Sequence, residues 1–296
     1  MPAAGDHDEP GEIRRPALPP GRAVELPGRG ATFVRELAGP PGAPTLLLLH
    51  GWTVTADLNW FTAYEQLGRR YRIVALDHRG HGRGLRSREP FTLEDCADDA
   101  AALCEVLGIE RCLAVGYSMG GTVAQLVWHR HRDLVDGLVL CSTGAHFADT
   151  RNEQLHFMSL AGLASHVRLT PERARAWLGE QYLARRGRAY EAWALEELAR
   201  HDLAALLEAG RAIGRFASDE WLGTIDVPTA VIVTMQDQVV PVRRQLALFE
   251  GIPTAVAYRV DGQHDAVVSQ ADTYLPVLLE ACDQVVGRGT DLRRSA

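Results

Sequence analysis

Residues 112–131 read CLAVGYSMGGTVAQLVWHRH: an apolar run, a serine bracketed by glycines, then an amphipathic stretch. The first part has the pattern of a buried strand and the last that of a helix. Between them Gly116, Tyr117, Ser118, Met119 and Gly120, followed by Gly121, match G-x-S-x-G. A turn that joins strand to helix so sharply strains the serine backbone and leaves no room for side chains two residues away, which is why glycines flank it. Ser118 would then stand at the carboxyl end of a strand, where ligands bind in open α/β sheets. The competing reading is a polar residue at an ordinary strand–helix junction, and the strand–turn–helix context favours a nucleophile.

Outward from this stretch, short apolar runs alternate with helical patterns, the signature of a parallel sheet covered on both faces. ATFVREL (31–37) reads as an early strand, TLLLLHG (45–51) as a buried one and YRIVALDHRG (71–80) as the next. CLAVGYS (112–118), GLVLCS (137–142), TAVIVTMQD (229–237) and AVAYRVDG (255–262) follow. LEDCADDAAALCEVLG (93–108) reads as a helix with Thr92 as N-cap, Asp95 three residues on and Gly108 as its stop. From about 146 to 222 the strand rhythm ceases. There PERARAWLGEQYLAR (171–185) begins after Thr170 with Pro171 at N1, and YEAWALEELARHDLAALLEAG (190–210) ends at Gly210. The expected organisation is a flexible N-terminal tail over 1–30, an α/β core over 31–145 and 223–285, a helical insertion over 146–222 and a C-terminal tail over 286–296. Trp177, Trp193 and Trp221 fall in the insertion, where helix packing is the plain reading and a ligand wall the alternative.

Composition narrows the chemistry. Apolar residues at 46% and charged residues at 23% are the proportions of a globular protein, and no apolar run is long enough to predict a membrane span. The Pro- and Gly-rich N-terminus has no apolar core of a secretory signal, so the cytoplasm is the default location. Net charge is −7 with scattered basic residues, which predicts no nucleic-acid partner. All 31 basic residues are arginine, which excludes a lysine Schiff base and a P-loop lysine. Cys96, Cys104, Cys112, Cys141 and Cys282 contain no CxxC pair and read as buried thiols rather than a metal site. Gly80, Gly82 and Gly84 lack the full dinucleotide spacing, so no nicotinamide cofactor is expected.

A serine needs a base to take its proton and a third group to hold that base in the right tautomer. The order to look for is serine, then acid, then histidine. Asp237 ends the strand-like TAVIVTMQD, and His264 follows the next strand pattern, an interval that accommodates one helix and one strand. Among the rivals, His129, His131, His156, His166 and His201 fall on helical patterns, and His78 and His81 belong to a turn before the serine. Asp261 and Asp265 lie too close to His264 to orient its far side, and Asp226 precedes the strand. The oxyanion requires two N–H donors. The amide of Met119, after the nucleophile, and that of Trp52, in the loop after TLLLLHG, are the candidates, with His50 read as structural.

HGW (50–52), DHRGHGRG (77–84), GYSMGG (116–121), DQVVP (237–241) and GQHD (262–265) occur in the order found in one family. Over residues 31–285 the chain resembles an α/β-hydrolase fold protein with a helical cap. The resemblance implies a mostly parallel sheet with helices on both faces and an inserted helical cap over 146–222. It also implies Ser118, Asp237 and His264 as a catalytic triad, with Trp52 and Met119 as oxyanion donors. Two positions depart: Arg83 stands where members often have serine after GHG, and Gln263 where they often have glycine before the histidine. Epoxide hydrolases and haloalkane dehalogenases carry Asp in place of Ser118, so those activities are disfavoured. The expectation is a serine hydrolase cleaving an ester, lactone or thioester of a small to medium apolar acyl group, without cofactor or metal, on a small-molecule substrate. The alternatives are a C–C bond hydrolase, for which Arg185 or Arg215 would hold a dioxo acid, a haloperoxidase-like esterase and an acyltransferase. A ligand receptor with little turnover is the alternative of another class. Oligomeric state is open.

Overall fold

Four successive leucines, Leu46 to Leu49, are buried together only in a strand covered on both faces. In the computed structural model, which describes residues 15–169 and 192–295, they are fully buried in β3 (Thr45–Leu49). The other strands are β1 (Gly21–Leu26), β2 (Gly30–Leu37), β4 (Arg72–Leu76), β5 (Cys112–Tyr117), β6 (Val135–Cys141), β7 (Thr229–Thr234) and β8 (Ala255–Val260). They form one sheet in the order β1-β2-β4-β3-β5-β6-β7-β8. β2 runs antiparallel to both β1 and β4, and every other pairing is parallel. The fold is the mostly parallel α/β-hydrolase sheet with helices on both faces.

Alternate residues of each strand feed two apolar layers. Leu47, Leu49, Val74, Ala114, Leu140 and Val231 face the helices Leu93–Val106 and Met119–Arg130. Leu46, Leu48, Ile73, Val115, Val139 and Ile232 face the long helix Ala271–Ser295 and Trp60. The predicted cap at Thr92 is present, its hydroxyl accepting Asp95 N–H at 3.0 Å.

Several boundaries differ from expectation. Residues 21–26, expected within a flexible tail, form the edge strand β1, in which Val24 and Leu26 are buried. Only two inward-facing residues in six make that signal too short to stand out beside Pro16, Pro19 and Pro20. At the other end, the helix that was expected to give way to a tail at 286 runs to Ser295. Val285 packs over Gly137 of β6, and Arg288 donates to Thr254 O at 2.9 Å, so the chain stays docked past residue 286. The pattern over 190–210 resolves into two helices, Ala192–Leu198 and Leu203–Arg215, because Asp202 restarts the chain by accepting the N–H groups of Ala204 and Ala205. Gly210 is therefore interior rather than a stop: a Cβ there would lie 2.7 Å from the Trp52 ring. With the helix Arg151–Leu169, these lie between β6 and β7 in the chain.

Trp193 is buried, edge-on to Phe61 at 5.4 Å, and Trp221 stacks on His129 at 4.4 Å, so both serve packing. Thr170, Pro171, Trp177 and Arg185 lie outside the described residues. All five cysteines are buried and unpaired. Among the described residues, no helix is long and apolar enough to cross a membrane.

Because β3 is packed on both sides, truncating Leu48 to alanine leaves a cavity, and urea unfolding should show a loss of about 2–5 kcal/mol. Val106→Ala, on an exposed helix position, should change stability by less than about 0.5 kcal/mol. Equal effects at the two sites would contradict this layering.

Candidate active site

Strand register brings the predicted residues to one edge. Leu49 pairs with Gly116 and Tyr117 with Cys141, so the chain leaving β3 at His50, Gly51 and Trp52 runs beside Tyr117, Ser118 and Met119. A Cβ added to Gly51 would lie 3.5 Å from Ser118 Cβ, which shows how closely this loop meets the serine.

Ser118 has φ 54° and ψ −118°, a left-handed conformation that costs an L-residue about 1–3 kcal/mol. Three hydrogen bonds hold it: Ser118 N–H to Cys141 O at 2.9 Å, Gly121 N–H to Ser118 O at 2.8 Å and the Thr143 hydroxyl to Ser118 O at 2.8 Å. Any side chain at Gly120 would overlap Leu49 O, and one at Gly116 would overlap Gly120 O. Both glycines are thus required by space.

His264 Nε2 lies 3.0 Å from Ser118 Oγ, and His264 Nδ1 lies 2.8 Å from Asp237 Oδ2. An ionised carboxylate only accepts, so Nδ1 carries the proton and Nε2 is left as an acceptor for the serine hydroxyl. The Asp237 side chain is fully buried, whereas that of His264 keeps 23% exposure. Burial alone would raise the Asp237 carboxyl. The hydrogen bond and charge of His264, the Val240 amide and the Thr234 hydroxyl outweigh it and hold the carboxyl below the ordinary value of 3.8. Asp261, the dismissed rival, instead accepts from Gln236 Nε2 at 2.8 Å.

Met119 follows the serine at the first position of its helix, and Trp52 follows Gly51 in the loop beside it. Among the described residues, neither backbone N–H donates to a protein acceptor. Thr53, next to Trp52, has φ 63°, a second strained position that nothing in its local sequence announces. The Trp52 indole donates to Leu206 O at 2.8 Å, which ties the loop to the helix Leu203–Arg215.

The remaining histidines of the motifs are structural. His50 Nδ1 donates to Gly51 O at 2.7 Å while its Nε2 accepts His78 N–H at 2.9 Å. His201, expected on a helix, instead sits in the turn before Asp202 and accepts Gly82 N–H at 2.8 Å. Burial keeps all four rings neutral: it lowers His78 to about 3 and His201 to about 4, and holds His50 and His81 well below 6.5. Arg83, at the position where serine was expected, lies 3.6 Å over the Phe33 ring and reaches Asp57 at 2.6 Å and Glu197 at 3.3 Å. Arg215, one candidate for binding a dioxo acid, is exposed.

Two participants were not anticipated. The Tyr117 hydroxyl donates to His264 O at 2.7 Å, and Gln245 Nε2 approaches Asp237 Oδ2 at 3.1 Å. Tyr117 lies within the serine motif and Gln245 in the interval assigned to a helix, and the fold brings both to the site.

A family model described as alpha/beta hydrolase fold matches residues 44–188. A thermophilic esterase from Thermogutta terrifontis superposes with a TM-score of 0.72 at 22% identity, covering 90% of this chain and 99% of that one. The protein has the α/β-hydrolase fold. An enol-lactonase from Burkholderia xenovorans shares the fold of this α/β-hydrolase with a TM-score of 0.70 at 21% identity, covering 88% of this chain and all of that one. RutD of Agrobacterium fabrum, whose name describes a provisional carbamate hydrolase, is 28% identical over 255 residues, 80% of this chain and 92% of that protein. Family and relatives together support a hydrolytic activity for this α/β-hydrolase.

The depressed Asp237 carboxyl has a consequence for stability. A group whose folded-state value lies below its unfolded value contributes stability that is complete above the unfolded value and is lost as pH falls through the folded one. Wild-type stability should therefore drop more steeply than that of Asp237→Asn as pH is lowered from about 4 towards 2, measured by urea unfolding. Parallel curves would contradict the assignment.

Proposed function

We propose that this α/β-hydrolase is a serine hydrolase that cleaves a carboxylic ester, or a lactone or thioester, through an acyl-enzyme. The observation that carries the reading is the unbroken relay from Ser118 Oγ through His264 to Asp237, at 3.0 and 2.8 Å. His264 Nε2 takes the Ser118 proton as Oγ attacks the carbonyl, and Asp237 stabilises the resulting imidazolium. The amides of Trp52 and Met119 donate to the developing oxyanion. His264 then protonates the leaving group, and a water activated by the same ring releases the acid. The relatives' names, an esterase, an enol-lactonase and a provisional carbamate hydrolase, share an acyl carbon bearing a heteroatom leaving group, which fits this sequence of steps.

The helices between β6 and β7 act as a cap. Phe157, Ala209, Ile213 and Phe216 from these segments pack in one apolar cluster with Met119, Ala145, Phe147 and Trp52. Surroundings of that kind select a small to medium apolar acyl group. Five unpaired thiols suit the reducing cytoplasm.

An alkyl fluorophosphonate should add once to wild-type protein, at Ser118, as read by intact mass. Ser118→Ala should abolish the adduct, and His264→Ala should slow its formation at least about 10³-fold. On p-nitrophenyl esters, Asp237→Asn should lower kcat by about 10²–10⁴. A well-folded wild type that forms no adduct would sink the reading. A protein that labels but completes only a few turnovers on any ester is a receptor instead.

A further inference from the structure

Among the described residues, Asp237 accepts five hydrogen bonds. Oδ1 takes the backbone N–H groups of Val239 and Val240, each at 2.8 Å. Oδ2 takes His264 Nδ1 at 2.8 Å, the Thr234 hydroxyl at 2.9 Å and Gln245 Nε2 at 3.1 Å. Gln245 is fully buried on the helix Val242–Gly251, just beyond the loop that carries the acid. Groups outside the triad decide which way its amide points. Gln245 Oε1 accepts Thr234 N–H at 3.0 Å, and Nε2 donates to Val240 O at 2.7 Å. A flipped amide would set nitrogen against N–H and oxygen against C=O, so the orientation is settled. The second N–H of the amide is thereby aimed at Asp237 Oδ2 and at Thr234 Oγ1, both 3.1 Å away.

We propose that Gln245, together with Thr234, is a positioning residue that sets how strongly Asp237 attracts the proton of His264. The inference rests on the acyl-transfer reading above. Each donor that a carboxylate oxygen accepts compensates part of its charge and lowers its basicity. Three donors converge on Oδ2, so the imidazole shares that oxygen with two competitors. Without Gln245, the Val239 N–H on Oδ1 and the Thr234 hydroxyl on Oδ2 keep the carboxylate in place, while Val240 loses the partner of its carbonyl. Losing the Gln245 donor therefore shifts the carboxylate little and leaves its charge less compensated, which makes His264 easier to protonate. Since His264 must be neutral to accept the Ser118 proton, the competing donors extend its working range towards lower pH.

The test follows the second-order rate of Ser118 phosphonylation by an alkyl fluorophosphonate, read by intact mass between about pH 5 and 9. This readout needs no knowledge of the natural substrate. Gln245→Met should move the acid limb upward by about half a pH unit while the plateau rate falls less than tenfold, about the effect of a small misalignment. The other ionisable groups near His264 are unchanged by the substitution: the Tyr117 hydroxyl, Cys141 paired beside Tyr117, and Asp261 and Asp265 in the same loop. A purely structural role would lower the melting temperature and leave the limb where it was, and a limb that stays or moves down overturns the proposal. Should Gln245→Met not fold, Thr234→Val removes the other side-chain donor on Oδ2 and carries the same expectation. Wild-type protein that fails to label overturns the acyl-transfer reading and this inference with it, whereas a labelled wild type with an unmoved variant limb overturns the inference alone.

Discussion

The backbone of Ser118 is the constraint on which the site turns. A residue at φ 54° costs about 1–3 kcal/mol, and the conformation persists because its neighbours leave no alternative. Gly120 lies against the last carbonyl of β3, Gly116 against Gly120, and the serine N–H and C=O are taken by Cys141 and Thr143 of the adjoining chain. The strain is thus supported by three consecutive strands of the sheet. Those same strands end at one level, which is why Trp52, Met119 and Ser118 meet without any long loop having to reach across.

A second set of contacts fastens the helices between β6 and β7 to this edge. The Trp52 indole meets Leu206 O, Asp202 N–H meets Gly80 O, His201 accepts Gly82 N–H and Arg86 donates to Arg200 O. Arg83 adds Glu197 to a cluster that already holds Asp57. All five contacts involve the loops after β3 and β4, and all five land within residues 197–206. That short segment is consequently one place where the helices between β6 and β7 are fastened to this edge. The absence of a side chain at Gly210 lets the following helix lie directly on Trp52. The departure at Arg83 makes sense in this setting: a serine is too short to reach from the turn to Glu197.

Legibility in the sequence followed the range of the interactions. Buried strands and the Ser118 turn are local signals, since continuous apolar runs and close glycine spacing report their own surroundings. Asp237 and His264 could be found because each closes a strand pattern in the right order. β1 was missed because an edge strand with only Val24 and Leu26 turned inward gives almost no period. Gly210 was misjudged because its small size answers to Trp52, far away in the chain. Tyr117 and Gln245 were invisible for the same reason. Tyr117 reaches the carbonyl of His264 across the sheet edge and steadies a loop in which Gln263 replaces the expected glycine. Gln245 lies in the helix expected between Asp237 and the next strand, and nothing in its local sequence marks it.

Among the described residues, five histidines gather at the carboxyl edge of the sheet, and four of them are fully or largely buried against one another. His50, His78, His81 and His201 are buried against one another, with ring centroids 4.4 to 5.5 Å apart along the series, and desolvation keeps each uncharged. A charge on one would raise the cost of a charge on the next. Neutral rings can accept backbone N–H groups, and His50 and His201 do so to hold the loops on either side of Trp52 and Gly82. His264 differs in two respects: part of its ring is open to solvent, and its inner nitrogen faces a carboxylate rather than another imidazole. The sheet edge therefore places one side chain in two settings, as neutral struts where protonation would break the loops and as a partly open ring between Ser118 and Asp237.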